Sequence, residues 1–156
     1  MNHNDLVVLY GNEEVGRLTL DKHGHMSFRY SRYDKTLSAS MPPREQPYDE
    51  AGCLPFFLGV LPEGRAIERI AENIGVSVND TFDILKSIGG DCAGAISVYT
   101  ADQYNAGVHA PLTSRTSIPP SAEISNDQLS KIIRLLPSSP LGNNANAGIR
   151  ISLAGV

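Results

Sequence analysis

The stretch IGGDCAGA, residues 88–95, places glycines at 89, 90 and 94, a spacing that can turn several backbone N–H groups towards an anion. A phosphate loop, however, runs from strand to loop to helix and ends in Gly-Lys-Ser or Gly-Lys-Thr. This stretch runs from a predicted helix to a predicted strand and has no lysine, so a tight helix-to-strand connection is the expectation. Three carboxylates, Glu63, Glu68 and Glu72, are near enough in sequence to be weighed as an acid-base set. Glu68 and Glu72 fall on the polar side of a predicted helix, where a solvated face is the better account. Cys53 and Cys92 stand 39 positions apart with no CxxC and no metal-ligand spacing, so both are expected to be small buried residues. His23 and His25 flank Gly24 in a polar turn, His3 and His109 stand alone in polar surroundings, and no serine sits in a GxSxG. From the residues alone, no active site emerges.

The elements that would position such residues change character along the chain. LVVLY (6–10), VGRLTL (15–20) and MSFRY (26–30) are short, rich in β-branched and aromatic residues, and separated by polar turns; they predict an antiparallel meander. TLSASMPP predicts a fourth extended segment ended by Pro42 and Pro43, and REQPYDEAG predicts a loop. After the short apolar segment LPFFLGVL the period changes from 2 to 3.6. Pro62 can open the next turn, and EGRAIERIAENIG puts Ala66, Ile67, Ile70, Ala71 and Ile74 on one face with Arg65, Glu68, Arg69 and Glu72 outside, stopped by Gly75. Asn79 or Asp80 can cap a second helix, TFDILKSI, which Gly89 stops before AISVYT returns to strand.

The polar run from Ala101 to Ile124, with Pro111, Pro119 and Pro120, predicts a long surface connection. Ser125 and Gln128 form a capping-box signature ahead of LSKIIRLL, where Leu129, Ile132, Ile133 and Leu136 share a face. The loop SSPLGNNANAG then leads into a final strand, in which Ile149, Ile151 and Leu153 alternate with Arg150, Ser152 and Ala154 before Gly155.

Composition narrows the function classes. With 156 residues and 41% hydrophobic content the chain can bury roughly 70% of its unfolded surface, enough for one real core or a compact domain with an appendage. The net charge is -4 and the basic residues are scattered, which argues against direct nucleic-acid binding. No apolar run reaches the length of a membrane span, and the N-terminus lacks a basic start and a long apolar stretch, so no membrane association is expected and the cytoplasm is the expected compartment.

Taken in order, VGRL, SASMP, FFLGVLPEG, FDILKSIGGDCAGA and RISLAGV resemble the N-terminal half of the HipA family, serine/threonine kinases that act as toxins in bacterial toxin-antitoxin pairs. The resemblance covers nearly the whole chain, more weakly from Thr100 to Ala147. It implies an α+β fold: a small antiparallel β-sheet with packed helices in residues 1–100, a linker over 101–124, then over 125–156 a helix and the first strand of a kinase-like small lobe. In the family, a segment like ISLAG enters a glycine-rich loop that covers the ATP phosphates. Ser152, Leu153, Ala154, Gly155 and Val156 would be the entry to that loop, which this chain carries without its end, and Ser152 aligns with the family's autophosphorylated serine.

The resemblance implies ATP and Mg as cofactors of a full-length kinase and none for this chain, because the phosphate-binding lysine, the catalytic Asp with its Asn and the metal-binding Asp lie downstream of the loop in the family. The partners it implies are a HipB-like antitoxin, with operator DNA reached only through it, and the kinase core. A full-length relative phosphorylates an aminoacyl-tRNA synthetase. The alternative is a non-enzymatic module that docks on and restrains a separate kinase subunit.

Overall fold

A computed structural model of the chain describes residues 4–92 and 95–107 and, beyond them, Asn126, Asp127, Ser130 and Arg134. The expected meander is present: β1 (Asp5–Tyr10), β2 (Glu13–Leu20) and β3 (Met26–Tyr30) pair antiparallel. Gly11 and Gly24, both at positive φ, lie in the two turns. In the second turn the Asp21 carboxylate accepts from the backbone N–H groups of His23 and His25 at 2.7 and 2.9 Å. Those histidines are therefore turn residues, as their spacing predicts.

Three helices follow: α1 (Glu50–Gly59), α2 (Arg65–Ile74) and α3 (Thr81–Ile88). A short 3-10 turn at Gly89–Asp91 precedes β4 (Ile96–Thr100), and α4 (Ala101–Asn105) closes the unit. β4 pairs antiparallel with β1, so the sheet order is β3-β2-β1-β4 and the architecture is α+β.

Several sequence expectations need correction. TLSASMPP is not a strand; it makes a tight turn with a single Ser38–Met41 bridge, and the partner of β3 on its outer edge is Tyr48. Alternating small residues and two prolines provide too little side-chain packing for a ladder. REQPYDEAG is a loop only as far as Asp49, which caps α1, so the apolar segment after it is the body of a helix. Polar ADQYN begins the predicted surface connection as a helix, because Thr100 and Gln103 form a reciprocal capping box. Of the predicted helix after Ser125, the four described positions include three consecutive helical-spaced residues, Asn126, Ser130 and Arg134; they and Asp127 are helical and exposed, and its apolar positions lie outside the described residues.

One face of the sheet carries the core. Leu6, Val8, Leu18, Phe28, Tyr30 and Val98 meet Cys53 and Phe57 of α1, Ile70 and Ala71 of α2, and Phe82, Ile84, Leu85 and Ile88 of α3. Gly16 permits this packing: a Cβ there would overlap the Phe28 ring and the Arg29 carbonyl, which gives VGRL its physical meaning. The register slips between Val8 and Leu9, leaving Val15 as an extra, fully buried residue in β2. On the opposite face Val7, Leu9 and Tyr99 form a small cluster with Tyr104 of α4. Beside it Arg17 bridges Asp5 at 3.0 Å and Glu14 at 3.1 Å.

Candidate interaction surface

Each sheet edge is partly occupied. Phe28 of β3 exchanges two backbone hydrogen bonds with Tyr48, at 2.9 and 2.7 Å. The loop leading to Tyr48 is pinned by two hydroxyls: Tyr30 donates to the Met41 carbonyl and Tyr48 to that of Pro42, each at 2.6 Å. Burial pushes the Tyr30 phenol above its usual range, against the N–H of Leu37, which donates to it. On the other edge, Gly89 packs against the Val98 backbone so closely that a Cβ would collide with it. Gly89 ends α3 in ordinary right-handed conformation; close approach to β4, and not a left-handed cap, is why glycine fits. The Thr100 N–H donates to the Gln103 side chain at 3.0 Å.

Helix α1 is the unusual surface element. Asp49 caps it, its carboxylate accepting from Gly52 N–H at 3.0 Å, and after Glu50 it has no charged residue. Cys53 and Phe57, four apart, face the core, with the Phe57 ring 5.6 Å from that of Phe28. The other side is apolar too: Ala51, Pro55 and Leu58 are exposed, Leu58 by 43%, and Leu54 is half-buried. At the N-terminal end of α1, Asp21, His25, Met26, Ser27, Asp49, Glu50 and Ala51 line an open groove of about 410 Å³. Hydrogen bonds from the backbone N–H of His25 foremost hold the Asp21 carboxyl below its ordinary range, so it stays charged.

The remaining candidates do not converge. Glu68 and Glu72 are exposed on α2, and Glu63 is exposed in the turn before it. No three His, Cys, Asp or Glu side chains among the described residues are grouped to hold a metal ion. Cys53 and Cys92 are buried thiols, as expected, and burial pushes Cys53 up to about 11, away from reactivity. Gly89 and Gly90 belong to the helix-to-strand connection, as their order predicts. Gly94, His3, His109 and the loop-entry residues Ser152, Leu153, Ala154, Gly155 and Val156 lie outside the described residues. No helix among the described residues is long and apolar enough to cross a membrane. The outward side of α1 was the feature missed from sequence; its signal was Asp49-Glu50 followed by an uncharged run too long and too apolar for a one-sided helix.

Comparison with known proteins places this unit. Residues 6–99 match the HipA N-terminal domain. A putative kinase, Y4mE, of Sinorhizobium fredii is 37% identical over 149 residues, which cover 90% of this chain and 34% of that protein. The serine/threonine-protein kinase toxin HipA of Shewanella oneidensis is 40% identical over 42 residues, 27% of this chain and 10% of the toxin. An uncharacterized protein of Haemophilus influenzae is 30% identical over 98 residues, 62% of this chain and 92% of that protein. The fold also matches a chain in the complex of Shewanella oneidensis HipA, HipB and operator DNA, with a TM-score of 0.59 at 21% identity, covering 97% of this chain and 34% of that one. The chain thus spans about a third of the length of the putative kinase and of the solved chain. With a family match over most of its length and an α+β unit built as described, the chain belongs to the HipA N-terminal domain family.

Proposed function

We propose that this chain is the N-terminal part of a HipA-like serine/threonine-protein kinase toxin of a bacterial toxin-antitoxin system, and that its own contribution is contact, not chemistry. The observation that carries this reading is the unit of residues 4–92 and 95–107: a closed core with two buried thiols and no cluster of three metal-ligating side chains among the described residues. The names of the relatives, a putative kinase and a kinase toxin, support it, as does a likeness to a chain crystallised with HipB and operator DNA. In the full protein, a lobe downstream supplies ATP and Mg binding, Ser152 to Val156 lead into the loop over the nucleotide, and Ser152 is the autophosphorylation candidate. An aminoacyl-tRNA synthetase is the proposed substrate of that whole protein and the cytoplasm its proposed compartment.

A second reading is a separately encoded module that docks on a kinase subunit. The Haemophilus influenzae relative favours it, because 98 aligned residues make up 92% of that protein, so a chain scarcely longer than the HipA N-terminal domain exists by itself. Both readings are tested by calorimetric titration of the purified chain with the HipB-like antitoxin encoded beside it and with the downstream kinase segment. Binding to the antitoxin supports the toxin reading, and binding to the kinase segment alone supports the module. Binding to neither, with the chain shown to be folded, removes both. Phosphoryl transfer from ATP to Ser152 by the isolated chain contradicts contact without chemistry.

A further inference from the structure

We infer that the outward side of α1 is a docking surface for a helical protein segment whose apolar face ends in Lys or Arg. The inference deepens the docking reading above and rests on it. Ala51, Leu54, Pro55 and Leu58 are spaced i, i+3, i+4, i+7, the spacing of one helix face, and all four are exposed or half-buried. Cys53 and Phe57 provide the fully buried inward contacts and Leu54 packs in part against the core, which does not account for the exposed Ala51, Pro55 and Leu58. Pro55 stands inside the helix, where proline ordinarily costs about 3 kcal/mol. Having no N–H, it also leaves the Ala51 carbonyl without its helical donor. A helix that is apolar all round is normally buried all round. Packing against α1 is an apolar route open to a partner, and ridge-into-groove helix packing is its ordinary form.

Charge selects the occupant. The groove that shares Ala51 with this face is lined by three carboxylates, Asp21, Asp49 and Glu50, together with His25, and by no Lys or Arg. Three negative charges outweigh the roughly half positive charge of the helix N-terminus beside them. A segment lying along Leu58, Leu54 and Ala51 therefore meets an anionic pocket at that end, which a Lys or Arg complements and an Asp or Glu does not.

The probe is a random-peptide display library panned on the immobilised full chain, the selected peptides being synthesised and their affinities measured by fluorescence anisotropy. The expected peptides combine apolar residues at i, i+3 or i+4 with a terminal Lys or Arg. Leu58→Glu should weaken them by about tenfold or more. Asp21→Asn with Glu50→Gln should weaken them several-fold and flatten the loss of affinity between about 50 and about 500 mM NaCl. Leu58→Ala replaces Leu58→Glu if circular dichroism shows the latter unfolded. Failure to select any peptide, selection of acidic or uncharged ones, or equal binding by a folded Leu58 variant overturns the proposal. The library contains neither antitoxin nor kinase, so such a failure removes this surface and leaves the docking reading to the calorimetry.

Discussion

Helices α1 and α2 have ten residues each and are joined by a short turn, yet they solve the surface problem in opposite ways. In α2, Ile70 and Ala71 are buried, Ala66 and Ile67 are half-buried, and Arg65, Glu68, Arg69 and Glu72 face water, as does Ile74, which the periodicity placed on the apolar face. Its start has no side-chain cap, and it ends on Gly75 at φ 75°, the left-handed stop expected of glycine. In α1 the inward contacts are as dense, the start is capped by Asp49, and the outward side is apolar. Stability explains one face of a helix. The exposed part of the second apolar face of α1, Ala51, Pro55 and Leu58, has to be explained by something other than this unit's core.

The largest expected break is on the inward side. Phe57→Ala should destabilise by about 3–5 kcal/mol, because the ring is fully buried on Phe28. Phe56→Ala should cost about 1–2 kcal/mol, since Phe56 is half-buried and touches the Phe57 ring edge-on. Chemical denaturation of the two variants separates them, and equal losses would mean that α1 is turned differently. Gly16→Ala, on the sheet beneath α1, should cost about 1–3 kcal/mol through overpacking against Phe28, again read as a shift in the denaturation midpoint.

Smaller effects sharpen the contrast between the helices. Asp49→Ala should cost about 1 kcal/mol by removing the cap of α1. Glu68→Ala, exposed in α2, should stay within about 0.5 kcal/mol. The buried thiol of α1 adds a pH dependence. Cys53 ionises near pH 9 in the unfolded chain but only near 11 in the fold. Between those values the unfolded chain gives up a proton that the fold retains, so stability is unaffected below about pH 9 and declines as pH rises further. In keeping with that, a thiol reagent should modify Cys53 at pH 8 only after unfolding, which mass spectrometry of the labelled chain would show.

The contrast also explains what the sequence disclosed. Short runs rich in β-branched and aromatic residues between polar turns revealed β1 to β3, and β4 was legible because AISVYT follows a clear stop at Gly89. α2 was legible because its polar and apolar positions alternate with helical period, and α3 because Asp80, one of the two predicted caps, does accept from the Asp83 N–H. α1 was not, because a helix without a polar face has no periodicity to detect and Pro55 reads as a breaker. The segment 36–43 was misread for a related reason. Its conformation is set by tertiary bonds from Tyr30 and Tyr48, which no local pattern encodes.

The most direct test of contact without chemistry is a titration that sets the two outward faces against each other. Wild type, Leu58→Glu in α1 and Glu68→Ala in α2, each verified as folded, would be titrated by calorimetry with the HipB-like antitoxin and with the downstream kinase segment. The account predicts that wild type and Glu68→Ala bind at least one of them with equal affinity, while Leu58→Glu weakens that binding by about tenfold or more. Indistinguishable isotherms for all three proteins, or a loss confined to Glu68→Ala, would contradict it.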